Sequence, residues 1–204
     1  MAWVTYIITI PDYSFFSKPR TKDTVRKSGG IGFFVKKSIL QDIEIVKSEN
    51  EYIFWLKINI ENNKYFALGA VYVPPEMSRF YSEDDFFQLE NEISDKSNTY
   101  ENILILGDFN AHTSNLPDYT EIDEFLYRHF DISENSSETI GNKAILIECN
   151  IPINRISLCS KTNKLGRKLL NICKENDLLI HNGRLFNDRN GQFTFRNASV
   201  INYS

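Results

Sequence analysis

Cysteine is scarce: the chain of 204 residues has three, Cys149, Cys159 and Cys173. An odd count without zinc-finger spacing argues against a disulfide framework and points to a reducing, intracellular setting. Long apolar runs are missing as well. None reaches about 18 residues, the minimum for a spanning helix, so no membrane partner is expected. Ala2 to Ile10 is apolar, but it has no basic leading region and no small-residue cleavage site, and so does not read as a signal peptide. Positive charge is not in excess either. The net charge is −4, from 23 Lys and Arg against 27 Asp and Glu. That argues against a generally basic nucleic-acid binder, since phosphate contacts rest on Lys and Arg. It leaves room for a nuclease, which needs carboxylates at a metal and basic residues only where substrate lies. Internal repeats and low-complexity tracts are absent.

What is present is an ordinary globular balance, 42% apolar and 25% charged, too apolar for disorder. The length suits one large domain or two small ones, and the pattern along the chain favours residues 1–204 as a single domain. The 15 Phe and 10 Tyr suggest aromatic packing between sheets. Two basic clusters stand out: Lys18, Arg20, Lys22, Arg26 and Lys27, then Lys161, Lys164, Arg167 and Lys168. Each reads equally as a substrate-facing patch or as a solvated loop or helix face.

Strand signals dominate. Ile31 to Val35 follows Gly29-Gly30 and reads as a buried strand. Ile53 to Ile60 and Tyr65 to Val73 flank a hairpin turn at Glu61 to Lys64, and Pro74-Pro75 ends the second strand, because proline cannot donate to a ladder. Ser82-x-x-Asp85 predicts a capped helix start, with Phe86, Leu89 and Ile93 at helical spacing. A weak helix is expected over Tyr119 to Phe130. A better one is expected over Leu165 to Asn176, with Leu165, Leu169, Ile172 and Cys173 on one face. Leu178 to Ile180 reads as a buried strand. Asn190-Gly191, between Leu185-Phe186 and Phe193 to Phe195, gives a type I′ hairpin signal.

The most informative segment is Ile103-Leu104-Ile105-Leu106-Gly107-Asp108-Phe109-Asn110-Ala111-His112. Four apolar residues predict a fully buried strand that ends in a tight turn presenting a carboxylate and a carboxamide. In open α/β folds chemistry gathers at the carboxyl ends of strands. Asp108 can take a proton from water or help hold Mg²⁺, and Asn110 can hydrogen-bond a phosphate oxygen or a water. Alone, the same pattern also describes a strand followed by an Asx turn.

Taken with Tyr72 in Val71-Tyr72-Val73-Pro74, the Gly166-x-x-Leu169-x-x-x-Cys173 helix, Asn182-Gly183-Arg184 and Ser199-Val200-Ile201-Asn202-Tyr203, this segment resembles the endonuclease/exonuclease/phosphatase superfamily. The closest resemblance is to the endonuclease domain of LINE-type retrotransposons, and it runs from about Ile10 to Ser204. It implies an α/β fold: a DNase I-like four-layer sandwich of two mixed β-sheets packed together and flanked by helices. It implies Mg²⁺- or Mn²⁺-dependent hydrolysis of DNA in the nucleus by a monomer without an organic cofactor. Asp108 would position water or bind metal, Asn110 would hold phosphate, and the Tyr72 hydroxyl would stabilise the transition state. His112 and Arg184 are substrate-contact candidates, with surface or capping roles as alternatives. His129 and His181 read as structural.

The departures from that pattern matter as much. The family's metal-binding Glu on an early strand has no counterpart, and the chain reads as starting after it. Asn202 stands where the family has the Asp that supports the catalytic His, and Asn carries no negative charge. The closing Ser-Asp-His strand is not seen. Weak metal binding and an incomplete or inactive enzyme are therefore expected. A catalytically dead remnant, or a nucleic-acid- or protein-binding module on the same scaffold, is the alternative. A phosphoinositide or sphingomyelin phosphodiesterase of the same superfamily fits least well.

Overall fold

A computed structural model of the chain describes residues 9–20, 29–60, 64–120 and 142–192. Contacts gather into two compact units, Met1–Asn110 and Ala111–Ser204.

In the first unit, β1 (Tyr13–Pro19) and β2 (Gly30–Lys36) pair antiparallel as a two-stranded sheet. Side chains alternate across such a ribbon. Phe16, Phe33 and Val35 turn inward, while the Phe15 and Phe34 rings stack on the outer face at 4.6 Å. A 3-10 helix (Lys37–Asp42) leads into β3 (Ile43–Val46), and then come β4 (Ile53–Ile60) and β5 (Lys64–Tyr72). Helix α1 (Glu83–Thr99) carries the chain to β6 (Asn102–Asp108). The second sheet has the order β3-β4-β5-β6, antiparallel except for the last pair. A parallel pair needs a crossover connection, and α1 provides it. The expected hairpin is there, with Ile60 opposite Lys64. Its turn at 61–63 lies outside the described residues.

Ile53, Phe54, Trp55 and Leu56 are buried in succession, so both faces of β4 are covered over its first half. Phe54 meets Phe33 of β2 with ring centroids 5.4 Å apart, which brings the two sheets face to face. The fold is thus mixed α/β, with a two-stranded and a four-stranded sheet and a few helices among the described residues.

Helix α1 begins as its sequence predicts. Ser82 Oγ accepts from the Asp85 amide at 3.3 Å, and Phe86, Leu89 and Ile93 are buried. The Ser82 amide donates not to a side chain of the first turn but to the Tyr52 hydroxyl at 2.8 Å, which itself donates to the Phe80 carbonyl at 3.0 Å. Burial pushes that hydroxyl up to about 12.

The strand Ile103 to Leu106 is not fully buried, as its apolar run suggested. Leu104 and Leu106 are 40% and 54% exposed. Among the described residues β6 is an outer strand hydrogen-bonded only to β5, so one face and one edge meet solvent.

The second unit holds α2 (Asn142–Glu148), α3 (Lys164–Glu175) and a short 3-10 helix (Phe186–Asp188). Helix α3 matches the predicted helix to within a residue. Asn163 caps it, its Oδ1 accepting from the Gly166 amide at 2.7 Å. Leu165, Gly166, Leu170, Ile172 and Cys173 are its buried positions, with Leu169 only half-buried. Burial raises the Cys173 thiol to about 12.

Leu178 to Ile180 is irregular rather than a strand, because the Ile180 amide is taken by the Asp118 carboxylate at 2.7 Å. Phe186 lies in a 3-10 helix, so the upstream arm of the predicted hairpin at Asn190-Gly191 does not form; Phe193 to Phe195 lie outside the described residues. Of the helix expected over Tyr119 to Phe130, Tyr119 is a buried non-helical residue, and residues 121–130 lie outside the described ones. No helix among the described residues is long and apolar enough to cross a membrane.

Candidate functional site

The carboxyl ends of β5 and β6 meet at one register position, where Tyr72 is the partner of Asp108. Paired residues of adjacent parallel strands project to the same face, so phenol and carboxylate share a side of the sheet. Both are exposed, Tyr72 at 38%. The pairing continues one step, with the Val73 amide donating to the Asp108 carbonyl at 2.9 Å.

Gly107 makes this close approach possible. It pairs with Val71 at φ 143°, and a Cβ there would overlap the Val71 carbonyl oxygen. Only glycine satisfies both conditions. The chain then turns through Asn110 at φ 48°, whose amide donates to Asp108 Oδ1 at 2.8 Å. This is the Asx turn weighed from the sequence, and it fixes the carboxylate at the strand end. The Asn110 Nδ2 donates to the Val73 carbonyl at 2.8 Å, lacing the turn back to β5. Tyr72, Asp108 and Asn110 are therefore brought together.

Beside them sits Arg20, which the sequence offered only as one member of a basic stretch. Its guanidinium carbon lies 4.5 Å from the Phe80 ring centroid and 5.8 Å from that of Tyr72. The neighbouring Lys18 has a different place. Its ammonium donates to the Ser48, Asn50 and Ile53 carbonyls at 2.7, 2.6 and 3.2 Å and to Ser48 Oγ at 3.1 Å. Burial lowers its pKa. Lys22, Arg26 and Lys27 lie outside the described residues.

The other candidates belong to the second unit. His112 is exposed. Its amide donates to Asn163 Oδ1 at 2.9 Å, its carbonyl accepts from the Asn163 amide at 3.1 Å, and its Nδ1 lies 3.3 Å from Cys159 Sγ. The His112 backbone is thus clamped to the cap of α3, while the imidazole reaches the thiol.

Arg184 is only 1% exposed, not the surface contact it suggested in sequence. Nη1 and Nη2 grip both oxygens of Asp118 at 2.6 and 2.7 Å. Nε donates to Pro152, Nη1 to Ile180 and Nη2 to Ile153, at 3.0, 2.8 and 2.7 Å. A guanidinium has five N–H groups, and these contacts take all five, so none is left for a phosphate. Burial pushes the Asp118 carboxyl up. The Arg184 hydrogen bonds, the Ile180 amide and the nearby guanidinium charges outweigh it and hold the group below its usual value. Arg155 flanks the pair, its Nε 3.9 Å from Asp118 Oδ2. Asn202 lies outside the described residues, as does His129, while His181 is exposed in a loop.

As a metal centre, the described part of the site offers one carboxylate, Asp108, with one oxygen already accepting from Asn110. Mg²⁺ demands near-octahedral oxygen ligation, and one occupied carboxylate does not fulfil it. Among the described residues no group of three or more His, Cys, Asp or Glu converges in a metal-holding arrangement. The Tyr72 hydroxyl and the Asn110 carboxamide are neutral donors that can instead meet a phosphate oxygen, with Arg20 as the nearby positive charge.

Comparison with family models, with characterised proteins and with solved structures finds no match to this chain.

Proposed function

We propose that this chain is a DNA endonuclease domain of the DNase I-like, LINE-retrotransposon kind, inactive as it stands, in which Tyr72, Asp108 and Asn110 mark the place where a Mg²⁺-dependent member of that kind would handle a phosphodiester. The observation that carries the reading is the register pairing of Tyr72 with Asp108 at adjacent strand ends, followed at once by the Asn110 turn. A phenol and a carboxamide at one point suit the stabilisation of charge on a phosphoryl group, and the carboxylate beside them suits the positioning of a water.

A second reading is favoured by there being one carboxylate at the site among the described residues: a scaffold that still binds nucleic acid without cutting it. Asn202 adds to this, since it brings no charge where the resembled family has an acid. Losing one transition-state donor costs about a hundred- to a thousandfold in rate, although such losses do not add simply.

The experiment pairs two measurements on the full 204-residue chain. Nicking of supercoiled plasmid in Mg²⁺ is expected to stay at the rate of an Asp108→Ala, Asn110→Ala double variant. Anisotropy of a labelled DNA duplex is expected to show binding that Tyr72→Phe and Asn110→Ala each weaken by about fivefold, the worth of one hydrogen bond of about 1 kcal/mol. Nicking lost on Asp108→Ala would establish a competent enzyme. DNA binding indifferent to both variants would remove the basis for either reading.

A further inference from the structure

Phe80 has two cations on it. Arg20 lies 4.5 Å and Arg79 4.7 Å from its ring centroid, guanidinium carbon to ring. Two like charges drawn to one ring repel each other, and the ring quadrupole returns only about 0.5–1 kcal/mol per cation at an exposed site. Proteins ordinarily quench such a pair with a carboxylate. Among the described residues no Asp or Glu forms an ion pair with either arginine. Arg20 also lies 5.8 Å from the Tyr72 ring, so this positive pole adjoins the strand end that presents Asp108 and Asn110.

The backbone leaves room for the arrangement. Gly29, at φ 89°, passes so close that a Cβ there would stand 3.3 Å from the Arg20 guanidinium carbon. Each guanidinium carries five N–H donors with which to meet a planar or tetrahedral anion.

We infer that Arg20 and Arg79, hinged on Phe80, form a phosphate clamp that grips a second phosphate of the same nucleic-acid strand, next to the one met by the Tyr72 and Asn110 donors. This rests on the phosphodiester reading above and adds to it a preference for a polyanionic strand over an isolated phosphate ester. It also explains how a chain of net charge −4 engages DNA: the needed charge is local.

The test is the salt dependence of binding of a fluorescein-labelled DNA duplex, measured without metal for the wild-type chain, Arg20→Ala, Arg79→Ala, the double variant and Asn110→Ala. Each arginine variant is expected to lower the slope of log K against log salt by about 0.9, one phosphate contact, and the double variant by about twice that. Asn110→Ala, which removes a neutral group, is expected to weaken binding without changing the slope. Weaker binding at an unchanged slope in Arg20→Ala would mean that Arg20 acts by packing Phe80 and Tyr72, and would overturn the clamp. Unchanged binding in the arginine variants with a loss in Asn110→Ala would overturn the clamp and leave the functional reading standing. No binding by the wild-type chain would overturn both. Arg20→Gln, which keeps a polar planar end, serves if the alanine variant loses its native circular dichroism.

Discussion

Replacing Asp118 by alanine should open the second unit. Asp118 is fully buried, and Arg184 beside it is nearly so. The carboxylate takes two guanidinium hydrogen bonds and the Ile180 amide, and sits 3.9 Å from Arg155. Its loss leaves two buried guanidinium charges without a counter-charge and one buried amide without an acceptor. Breaking a buried pair from one side costs about 3–5 kcal/mol. Cys173 reports on this directly, because it is buried and Asp118 is among the charges that act on it. In a Cys149→Ser, Cys159→Ser background, its native-state labelling by an aromatic disulfide is limited by opening. At about 1.4 kcal/mol per decade, the labelling rate should rise roughly a hundred- to a few-thousandfold. Asp118→Leu combined with Arg184→Met should restore only part of the protection, since it replaces the tightest pair by apolar groups of similar volume but leaves Arg155 and the Ile180 amide without their partner. The wild-type interaction is also pH-dependent. The Asp118 carboxyl is held below its usual value of 3.8, so its contribution is complete above that pH and is lost as pH falls from there through the folded-state value. Labelling of Asp118→Ala at the wild-type rate would refute the argument that this pair holds the unit together.

Gly107→Ala should be the most damaging single methyl in the first unit, costing about 3 kcal/mol or more, because it forces φ 143° on an L-residue and drives Cβ into the Val71 carbonyl; urea unfolding followed by Trp55 fluorescence measures it. Tyr52→Phe should cost about 1–3 kcal/mol by stranding the Ser82 amide and the Phe80 carbonyl. Because the Tyr52 hydroxyl is raised to about 12, its wild-type contribution should be whole below about pH 10 and fade as pH climbs through 12, a slope that the Phe variant lacks in alkaline denaturation.

Local chemistry was legible along the chain. Ser82 caps α1 and Asn163 caps α3 because a short polar side chain before a periodic apolar run satisfies the first free amides wherever it occurs. The β4–β5 hairpin followed from two strand-forming runs around a polar turn. Gly-Asp-Phe-Asn announced a tight turn at a strand end, and its Asx hydrogen bond is there. These features depend on groups within a few residues of one another, so their energetics are written in the order of the residues.

What the sequence could not decide was settled by partners distant in the chain. Arg184 read as a surface cation; Asp118, 66 positions away, takes both ends of its guanidinium and removes it from solvent. Ile180 read as a strand residue until the same carboxylate claimed its amide. Leu104 and Leu106 read as buried on hydrophobicity alone, but exposure depends on what lies across the sheet face, and β6 is an outer strand of the described sheet. Tyr72 and Asp108 became neighbours only through the parallel register that α1 allows, and Arg20 joined them through two aromatic rings with no sequence signal of their own. Residue type set which interactions each group could make; the fold chose among them, because the burial that gives a charge or a hydrogen bond its weight exists only once distant segments have met.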